Sequence, residues 1–539
     1  MADSGRDALL EVLRTEGVRH VFGNPGSTEL PFMDALAAVD DIDYVLSLQE
    51  ATVVGMADGY AQATGRPAFL NLHSSAGLGN AIGNLTNAQA NGTPLVVTAG
   101  QQDRRHRHHD PLLAGDLVGL ARPVSKWAHE VNTLGDLGLI MRRAFHDAAS
   151  APAGPVFVSI PMDLLEETGA APVPAVSRIE RASTPAPALL DELATRLKAA
   201  ARVAIVAGDE VVASGAVPAL VSVAEALGCK VHGSPLHSNV VFPTTHPLWA
   251  NGLPPVAAVI ATELSQYDVV LLVGGRAFMV YPFSPGPAVP STVSLIHLSP
   301  DVHQLGRTWP TELGLVGDPK ASLEALRVRL GPAGDLTAAR AARVASDAAV
   351  ERGAFEGYDA VPMPPTAAAH ALVRALPAHT PIVDEGVTTG VRGYMRADPG
   401  EYFFCRGGGL GWGMPAALGV SLARDKAPVL CVVGDGSAMY SPQALWTAAA
   451  QDLPVVFAVV NNRQYLILKN FLRGMNAETV RTGHYVGMDL DQPPVDFVRL
   501  AESMGVDASF VEKAGDVGDA LQAALASGKT HLIELRIGA

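Results

Sequence analysis

The chain has 539 residues, of which 48% are hydrophobic and 17% charged, and its formal net charge is −15. This length exceeds what one hydrophobic core supports, so about three domains are expected, and the acidic balance argues against nucleic acid as a partner. The sequence predicts neither a membrane span nor an export signal, because it has no uncharged apolar run of about 18 residues and no basic leader. The scattered cysteines Cys229, Cys405 and Cys431 favour neither a disulfide framework nor a zinc site, so a cytoplasmic protein is expected.

Short β-rich runs alternate with longer alanine- and leucine-rich segments along the chain, which is typical of parallel sheets covered by helices on both faces. The fold class is therefore predicted to be α/β. Fifteen strands are predicted, five in each third of the chain: 18–22, 44–48, 68–72, 95–99 and 156–160; 203–207, 230–232, 269–273, 293–298 and 313–316; 381–383, 402–405, 429–433, 455–460 and 531–535.

Two stretches rich in alanine, glycine and proline, 170–188 and 331–365, are predicted to connect domains. The prediction is three tandem, doubly wound parallel-sheet domains. Their expected bounds are 1–170, 186–332 and 363–539.

In the last third, two buried strands end in polar residues. One stops at Gly434-Asp435-Gly436-Ser437 and the next at Asn461-Asn462, with a helix from Ser441-Pro442 to about Gln451 between them. A right-handed crossover would bring Asp435 and Asn462 into one crevice. Their oxygens suit a Mg²⁺ ion bridging to a diphosphate, with Ser437 and free N–H groups for the phosphates. For Gly-Asp-Gly alone, the alternative is a turn in which Asp435 caps a helix.

Gly-Asp-Gly followed by 24 residues and Asn-Asn resembles the thiamine-diphosphate fingerprint. The glycine-rich run 407–413 is not interpreted as a dinucleotide loop, since it is expected to lack the strand, helix and acidic partner of that motif. The resemblance implies Mg²⁺ ligands at Asp435, Asn462 and Gln464. It also implies contacts with thiamine diphosphate at Val387, Thr388, Gly408, Leu410, Gly434, Asp435, Gly436, Ser437, Asn462, Tyr465, Leu466 and Ile467.

The first third carries four further motifs, FGNPGSTELP at 22–31, LQEA at 48–51, ADGYA at 57–61 and NLHSSAG at 71–77. Together with PTTHP at 243–247 and ALWTAA at 444–449, they resemble the benzoylformate decarboxylases over nearly the whole chain. The resemblance implies thiamine diphosphate and Mg²⁺ as cofactors, a 2-oxo acid as substrate, and a homotetramer built as a dimer of dimers.

Three polar residues of the first third are the catalytic candidates. The resemblance makes Glu50 the carboxyl group that hydrogen-bonds the cofactor pyrimidine, His73 the acid/base and Ser27 the contact of the substrate carboxylate. Each residue also has a structural interpretation. Glu50 would suit the first turn of a helix, Ser27 an N-cap, and His73 the end of a strand.

The substrate pocket departs from the family pattern at two positions. Tyr281 stands where the family has a second histidine, and a phenol is the weaker acid. Ile467 replaces a small residue, which narrows the pocket. By resemblance the pocket also includes Ser27, His73, Leu112, Leu113 and Phe471.

Two further segments remain open at this stage. His106, His108 and His109 form a loop cluster that favours a solvated or lid segment over a metal site. Segment 475–491 is longer than its family counterpart and has no motif, and a lid is one interpretation of it.

The resulting prediction is a thiamine-diphosphate-dependent decarboxylase of a 2-oxo acid, a carbon–carbon lyase with carboligase side activity. Two alternatives remain. One is a carboligase of the acetolactate synthase type. The other is a non-catalytic subunit that binds the cofactor, against which the presence of Glu50, Ser27 and His73 argues.

Overall fold

The computed structural model describes residues 2–475 and 477–538 and confirms the α/β class. The chain divides into two compact units, which are described separately. The first unit consists of Met1–Arg178, Gly357–Val391 and Gly407–Ala539, and the second of Ile179–Glu356 and Arg392–Arg406. The three predicted domain bounds, 1–170, 186–332 and 363–539, stay predictions.

One parallel sheet of the first unit is formed by the N-terminal segment. Its strands, in spatial order, are Asp43–Leu46, His20–Gly23, Ala68–Leu72, Leu95–Gln101, Val156–Pro161 and Trp127–Glu130. A continuous run of buried residues fills Ala68–Leu72 and Leu95–Gln101, as expected of central strands covered on both faces. The edge strand Trp127–Glu130 is only half-buried and was not predicted.

A second parallel sheet of the first unit carries the C-terminal motifs. Its strands in this unit follow the spatial order Ile382–Glu385, Val429–Gly434, Val455–Asn461, His531–Arg536 and Asp507–Val511. Asp507–Val511 was missed because charged and polar residues break its apolar pattern. A small antiparallel pair, Ala2–Ser4 with Thr168–Ala171, completes the strands of this unit.

The second unit contains a parallel sheet of its own. Its spatial order is Trp249–Gly252, Lys230–Gly233, Val203–Ala207, Val269–Val273, Ser294–Ser299 and Leu313–Val316. Trp249–Gly252 was not predicted, and the short strand Tyr402–Phe404 also belongs to this unit. The segment 331–365, predicted as a connection, contains the helix Thr337–Phe355, whose one fully buried residue is Ala354. An almost uniformly exposed helix leaves no apolar stripe for a periodicity argument to find.

Helices cover both faces of these sheets. In the first unit the helices are Gly5–Thr15, Leu30–Leu36, Glu50–Thr64, Ser74–Asn91, Leu117–Ala121, Leu134–Ala149, Met162–Glu166, Pro365–Ala375, Gly413–Ala423, Asp435–Ala438, Gln443–Ala450, Leu466–Gly474, Glu478–Thr482, Phe497–Ser503 and Ala514–Ala526. In the second unit they are Pro187–Ala199, Glu210–Ala213, Val217–Leu227, Ala257–Leu264, Pro319–Arg329 and Thr337–Phe355. None of the described helices combines the length and the apolar composition that a bilayer crossing requires.

Two helices of the first unit approach each other closely and fix the position of Glu50. A Cβ atom on Gly59 would overlap the carbonyl oxygen of Ala416, and one on Gly419 would overlap that of Met56. The helices Glu50–Thr64 and Gly413–Ala423 therefore pack backbone against backbone, which only glycine permits at these positions. The contact joins the helix that begins at Glu50 to the segment that follows the glycine-rich run.

Candidate active site

The three catalytic candidates follow three neighbouring parallel strands of the N-terminal sheet. Ser27 lies after His20–Gly23, Glu50 after Asp43–Leu46, and His73 directly after Ala68–Leu72. Because the carboxyl ends of parallel strands meet at one edge of a sheet, the fold brings these residues to the same edge.

The structure agrees with some of the predicted structural roles of these three residues and not with others. Ser27 is exposed and opens the 3-10 turn Ser27–Glu29, whose N-cap is Gly26, so the N-cap interpretation of Ser27 is wrong. Glu50 is buried in the first turn of its helix, but the capping side chain belongs to Gln49. His73 stands at the N-cap position of Ser74–Asn91 without capping it through its side chain.

Glu50 is held by amide groups. Its Oε1 accepts a hydrogen bond from Asn24 Nδ2 at 3.2 Å, and its Oε2 accepts one from Asn80 Nδ2 at 3.0 Å. Gly77 lies beside the same side chain, so that a Cβ there would be 3.1 Å from Oε1. The carboxyl group is thus fixed in a narrow space by groups that cannot themselves titrate.

Glu29, which sequence reasoning missed, is the partner of His73. The two side chains meet at 2.9 Å, between Glu29 Oε2 and His73 Nδ1. The Glu29 carboxylate also accepts hydrogen bonds from the N–H groups of Gly26 and Gly100, both at 2.9 Å, and from the Thr28 hydroxyl at 2.7 Å. The hydrogen bond to Glu29 raises the pKa of His73 above its ordinary value, although partial burial opposes it.

A sequence signal for Glu29 did exist. The acid stands three residues after Gly26, which is the spacing of a capping box, and the Gly26 N–H donates to its carboxylate; glycine has no side chain to form the other half of the box. The pattern indicated a local role at the turn. It could not indicate that His73, 44 residues away along the chain, shares the same carboxylate.

The C-terminal candidates also follow neighbouring strands. Val387 and Thr388 come after Ile382–Glu385, the Gly434–Ser437 motif ends Val429–Gly434, and Asn462 comes after Val455–Asn461. The helix between the last two strands is Gln443–Ala450, with Pro442 as its N-cap, close to the prediction. Of the two adjacent asparagines, Asn461 is buried, and its Nδ2 donates a hydrogen bond to Glu534 Oε1 at 2.7 Å.

Asp435 has one carboxylate oxygen without a partner. Oδ1 accepts from Gly436 N–H at 2.9 Å, whereas buried Oδ2 has no hydrogen-bond partner among the described residues. Burial raises the pKa of Asp435, and nearby N–H groups of Gly436, Arg463 and Gln464 oppose that rise. Asp435 opens the short helix Asp435–Ala438, whose N-cap is Gly434, so it does not act as the helix cap. A buried, orphaned carboxylate oxygen fits a metal ligand.

The loop after Asn461 packs against the same motif. Asn462 Oδ1 accepts from Gln464 N–H at 3.0 Å, and a Cβ on Gly436 would lie 2.5 Å from the Tyr465 ring. Tyr465 therefore needs a glycine at position 436 in order to lie where it does. Leu466 is buried and Ile467 is partly exposed at the start of the helix Leu466–Gly474.

The glycine-rich run is anchored by two residues that were not predicted. Asn87 Oδ1 accepts from Gly409 N–H, and Asn87 Nδ2 donates to Gly409 C=O, both at 2.9 Å. Glu385 accepts from the N–H groups of Gly411 and Gly413, both at 2.7 Å, and burial raises its pKa to about 7. Both residues are distant in sequence from the glycine-rich run. No local sequence pattern therefore indicates that they bind it.

The expected surroundings of this run were partly wrong. The run was expected to lack the flanking strand and helix of a dinucleotide-binding motif. In the structure, the strand Tyr402–Phe404 precedes it in the chain and the helix Gly413–Ala423 follows it. Gly408 has a φ of +78°, which favours glycine, and Leu410 is partly exposed.

The predicted pocket residues lie in both units. In the first unit Leu112 is 84% exposed, and the Leu113 carbonyl accepts from the Ser75 hydroxyl at 3.3 Å. Ile467 and Phe471 share the helix Leu466–Gly474. In the second unit Tyr281 is 61% exposed.

The loop histidines form no metal site in the part of the chain that the structure describes. His108 and His109 lie in the 3-10 turn Arg107–His109, with their ring centroids 3.9 Å apart. Neither they nor His106 belong to a group of three possible metal ligands among residues 2–475 and 477–538.

Comparison with known proteins adds an independent observation. The N-terminal, central and C-terminal domain models of the thiamine pyrophosphate enzymes match residues 3–120, 190–326 and 386–535. A benzoylformate decarboxylase from Pseudomonas aeruginosa is 36% identical over 98% of this chain and 98% of its own. The chain belongs to the thiamine pyrophosphate enzyme family.

Further relatives of this thiamine pyrophosphate enzyme include both of the considered reaction types. The structure of a 4-hydroxybenzoylformate decarboxylase from Rhodococcus jostii aligns with a TM-score of 0.87 and 33% identity, covering 99% of each chain. The acetolactate synthase isozyme 3 large subunit of Escherichia coli is 29% identical over 93% of this chain and 88% of its own. The two decarboxylases named here are 36% and 33% identical to the chain, against 29% for this acetolactate synthase subunit.

In this thiamine pyrophosphate enzyme the candidate residues form two separate clusters. The N-terminal cluster consists of Ser27, Glu29, Glu50 and His73. The C-terminal cluster consists of Asp435, Ser437, Asn462, Gln464 and Tyr465. Among the described residues, the hydrogen bonds of Glu50 and His73 stay within the N-terminal segment, and those of Asp435 and Asn462 stay within the C-terminal segment.

Proposed function

We propose that this enzyme uses thiamine diphosphate and Mg²⁺ to decarboxylate a 2-oxo acid of the benzoylformate type, releasing an aldehyde and CO₂, with carboligation as a side reaction. The observation that carries the proposal is the His73–Glu29 pair beside Glu50, a set of proton-transfer groups at one sheet edge. The decarboxylases named among its relatives support the same substrate class.

The C-terminal cluster would hold the cofactor. Oxygen atoms of Asp435, Asn462 and Gln464 would ligate Mg²⁺. The Asp435 oxygen that lacks a hydrogen-bond partner among the described residues supports this assignment. Ser437, with Gly434 and Gly436, would contact the diphosphate. The remaining cofactor contacts are assigned to Val387, Thr388, Gly408, Leu410, Tyr465, Leu466 and Ile467.

The N-terminal cluster would manage protons and orient the substrate. When bound, thiamine diphosphate supplies the nucleophilic carbon and the electron sink of the reaction. Glu50, fixed by its two amide partners, would hold a proton against the pyrimidine ring. His73 keeps its proton to higher pH than an isolated histidine and can deliver it where the CO₂ group departs. Exposed Ser27 would donate a hydrogen bond to the substrate carboxylate.

Apolar residues would form the pocket for the substrate side chain. Leu112, Leu113, Ile467 and Phe471 would supply its walls in the first unit. Tyr281 stands at the sequence position where the family has a second histidine. Ile467 is larger than the residue that the family has at this position, so it would narrow the pocket. The pocket would then favour substrates with smaller side chains than the family's usual substrates have. This feature favours the carboligase alternative with small 2-oxo acids, and the substrate experiment below compares the two.

The two clusters would meet across a subunit interface in a homotetramer made of two dimers. The family resemblance implies this arrangement. A cytoplasmic location is part of the proposal, and it is consistent with three buried cysteines that form no disulfide among the described residues. Light scattering of the active enzyme is expected to give four subunits, and a fully active monomer would contradict the interface.

The substrate is tested by measuring CO₂ release and identifying products. Purified enzyme with thiamine diphosphate and Mg²⁺ is supplied with benzoylformate, phenylpyruvate, pyruvate or a branched-chain 2-oxo acid, with a chelated sample as the control. The proposal expects benzaldehyde from benzoylformate. Silence with benzoylformate, together with acetolactate or acetoin from pyruvate, would establish the carboligase alternative instead.

A further inference from the structure

The segment after the helix Leu466–Gly474 returns to the loop that carries Asn462 and Gln464. In the described part, from Ala477 onwards, it forms the helix Glu478–Thr482 and then pairs with that loop. Tyr465 N–H donates to Met488 C=O at 2.9 Å, and Leu490 N–H donates to Arg463 C=O at 2.8 Å. An isolated antiparallel bridge joins Gln464 to Asp489 between them. The backbone of residues 488–490 therefore fixes residues 463–465.

A buried lysine reinforces this pairing. Lys469 lies on the helix Leu466–Gly474, and its side chain is only 8% exposed. Its ammonium forms an ion pair with Asp489 and lies 4.8 Å from the centre of the Tyr485 ring. Burying an ammonium is costly unless it is paired, so the position of Lys469 depends on these partners. Both partners come from the returning segment.

The loop held in this way touches the Asp435 motif directly. Its Tyr465 ring packs on Gly436, the residue directly after Asp435, where an added Cβ would lie 2.5 Å from the ring. A displacement of this loop would therefore move the oxygens of Asn462 and Gln464 relative to Asp435. Partners of this outer kind orient metal ligands, and their loss typically lowers metal affinity by about 10- to 100-fold.

We propose that Lys469 is a positioning residue, which through Asp489 and Tyr485 fixes loop 462–465 in the geometry that Mg²⁺ and the diphosphate require. The inference rests on the proposed function, because it takes Asn462 and Gln464 as metal ligands. It adds a role for the segment that carries no sequence motif. In this proposal, the segment holds loop 462–465 in place.

The test is a Mg²⁺ titration of the full-length apoprotein at saturating thiamine diphosphate, followed by calorimetry. Lys469→Met keeps the apolar stem and removes the charge, and we expect its Mg²⁺ affinity to fall by about 10-fold or more. Lys469→Arg keeps the charge and is expected to stay within about 3-fold of wild type. Arg481→Met is the matched control, since it breaks a solvent-exposed pair with Glu478 in the same segment.

Two further measurements separate positioning from stability alone. With saturating Mg²⁺, Lys469→Met is expected to regain most of kcat, with an unchanged KM for the 2-oxo acid. Asp489→Asn is a second variant, which removes the other partner of the same ion pair. It is expected to weaken Mg²⁺ binding similarly and to lower the thermal midpoint more, because it leaves a buried ammonium unpaired.

Wild-type Mg²⁺ affinity in a folded Lys469→Met or Asp489→Asn protein would overturn the proposal, even if its thermal midpoint fell. An absence of Mg²⁺ binding in the wild-type protein would instead contradict the proposed function itself, and the positioning role with it. The wild-type titration therefore distinguishes the two failures.

Discussion

The N-terminal and C-terminal clusters are built on the same plan but are completed differently. Each stands at the carboxyl ends of neighbouring parallel strands. In the N-terminal cluster, both carboxylates have protein partners. Glu29 accepts hydrogen bonds from two backbone N–H groups and a hydroxyl, and each oxygen of Glu50 accepts one from an asparagine amide. In the C-terminal cluster, Asp435 keeps a buried oxygen without a partner in the described chain.

This difference indicates what each cluster does. A side-chain network that is complete without a ligand is rigid, and it can set the pKa of a histidine. A buried carboxylate oxygen without a partner is costly unless an outside group completes it. This difference supports the proposal that the N-terminal cluster serves proton transfer and the C-terminal cluster binds a cation.

The largest effect is expected from Glu50→Gln. The amide keeps the shape but cannot exchange a proton, so turnover should fall by about 1,000-fold, within the range of general acid–base catalysis. Cofactor affinity, measured by calorimetry, should change by less than about 10-fold, because the metal ligands are intact. Full turnover in this variant would remove Glu50 from the proton path.

Asp435→Asn should show the opposite pattern. We expect Mg²⁺-dependent cofactor affinity to fall by at least about 100-fold, which exceeds the usual loss of an outer partner. Burial raises the folded-state pKa of Asp435, so its contribution to stability is greatest at low pH and is lost as pH rises through that pKa. At pH 7, the thermal midpoint of the Asp435→Asn apoprotein should therefore be at least as high as that of the wild-type apoprotein. Unchanged cofactor affinity would contradict the metal assignment.

A smaller and pH-dependent effect is expected from Glu29→Gln. Its hydrogen bond is the main cause of the raised pKa of His73, so the variant should lose the His73 proton at lower pH. The alkaline limb of the kcat/KM profile should then move to lower pH. The wild-type pair contributes stability below the unfolded pKa of histidine, and that contribution is lost as pH rises through the folded pKa. An alkaline limb at the wild-type position would show that His73 does not set it.

The sequence was most informative where chemistry is local. Strands such as Ala68–Leu72 and Val429–Gly434 are continuous apolar runs between turn residues, and they were predicted to within a residue. The missed strands Trp127–Glu130, Trp249–Gly252 and Asp507–Val511 contain polar or exposed residues, so their pattern does not differ from that of a loop.

Partners that are distant along the chain were the part that could not be predicted. His73 and Glu29, Asn87 and Gly409, and Glu385 and Gly411 all meet only after folding. These hydrogen bonds depend on which strands and helices lie side by side, and sequence spacing does not contain that information. The resemblance to a family predicted the site residues, but the hydrogen-bond partners of these residues required the structure.

The most direct test of the central claim is whether two inactive variants restore each other. We propose that the N-terminal cluster of one subunit lies against the C-terminal cluster of another, so Glu50→Gln and Asp435→Asn chains should together form one intact site per mixed dimer. With equal amounts and random pairing, half of the dimers are mixed and half of their sites are intact, which predicts about a quarter of wild-type activity. Activity no higher than the mean of the two parent variants would contradict a site shared between subunits.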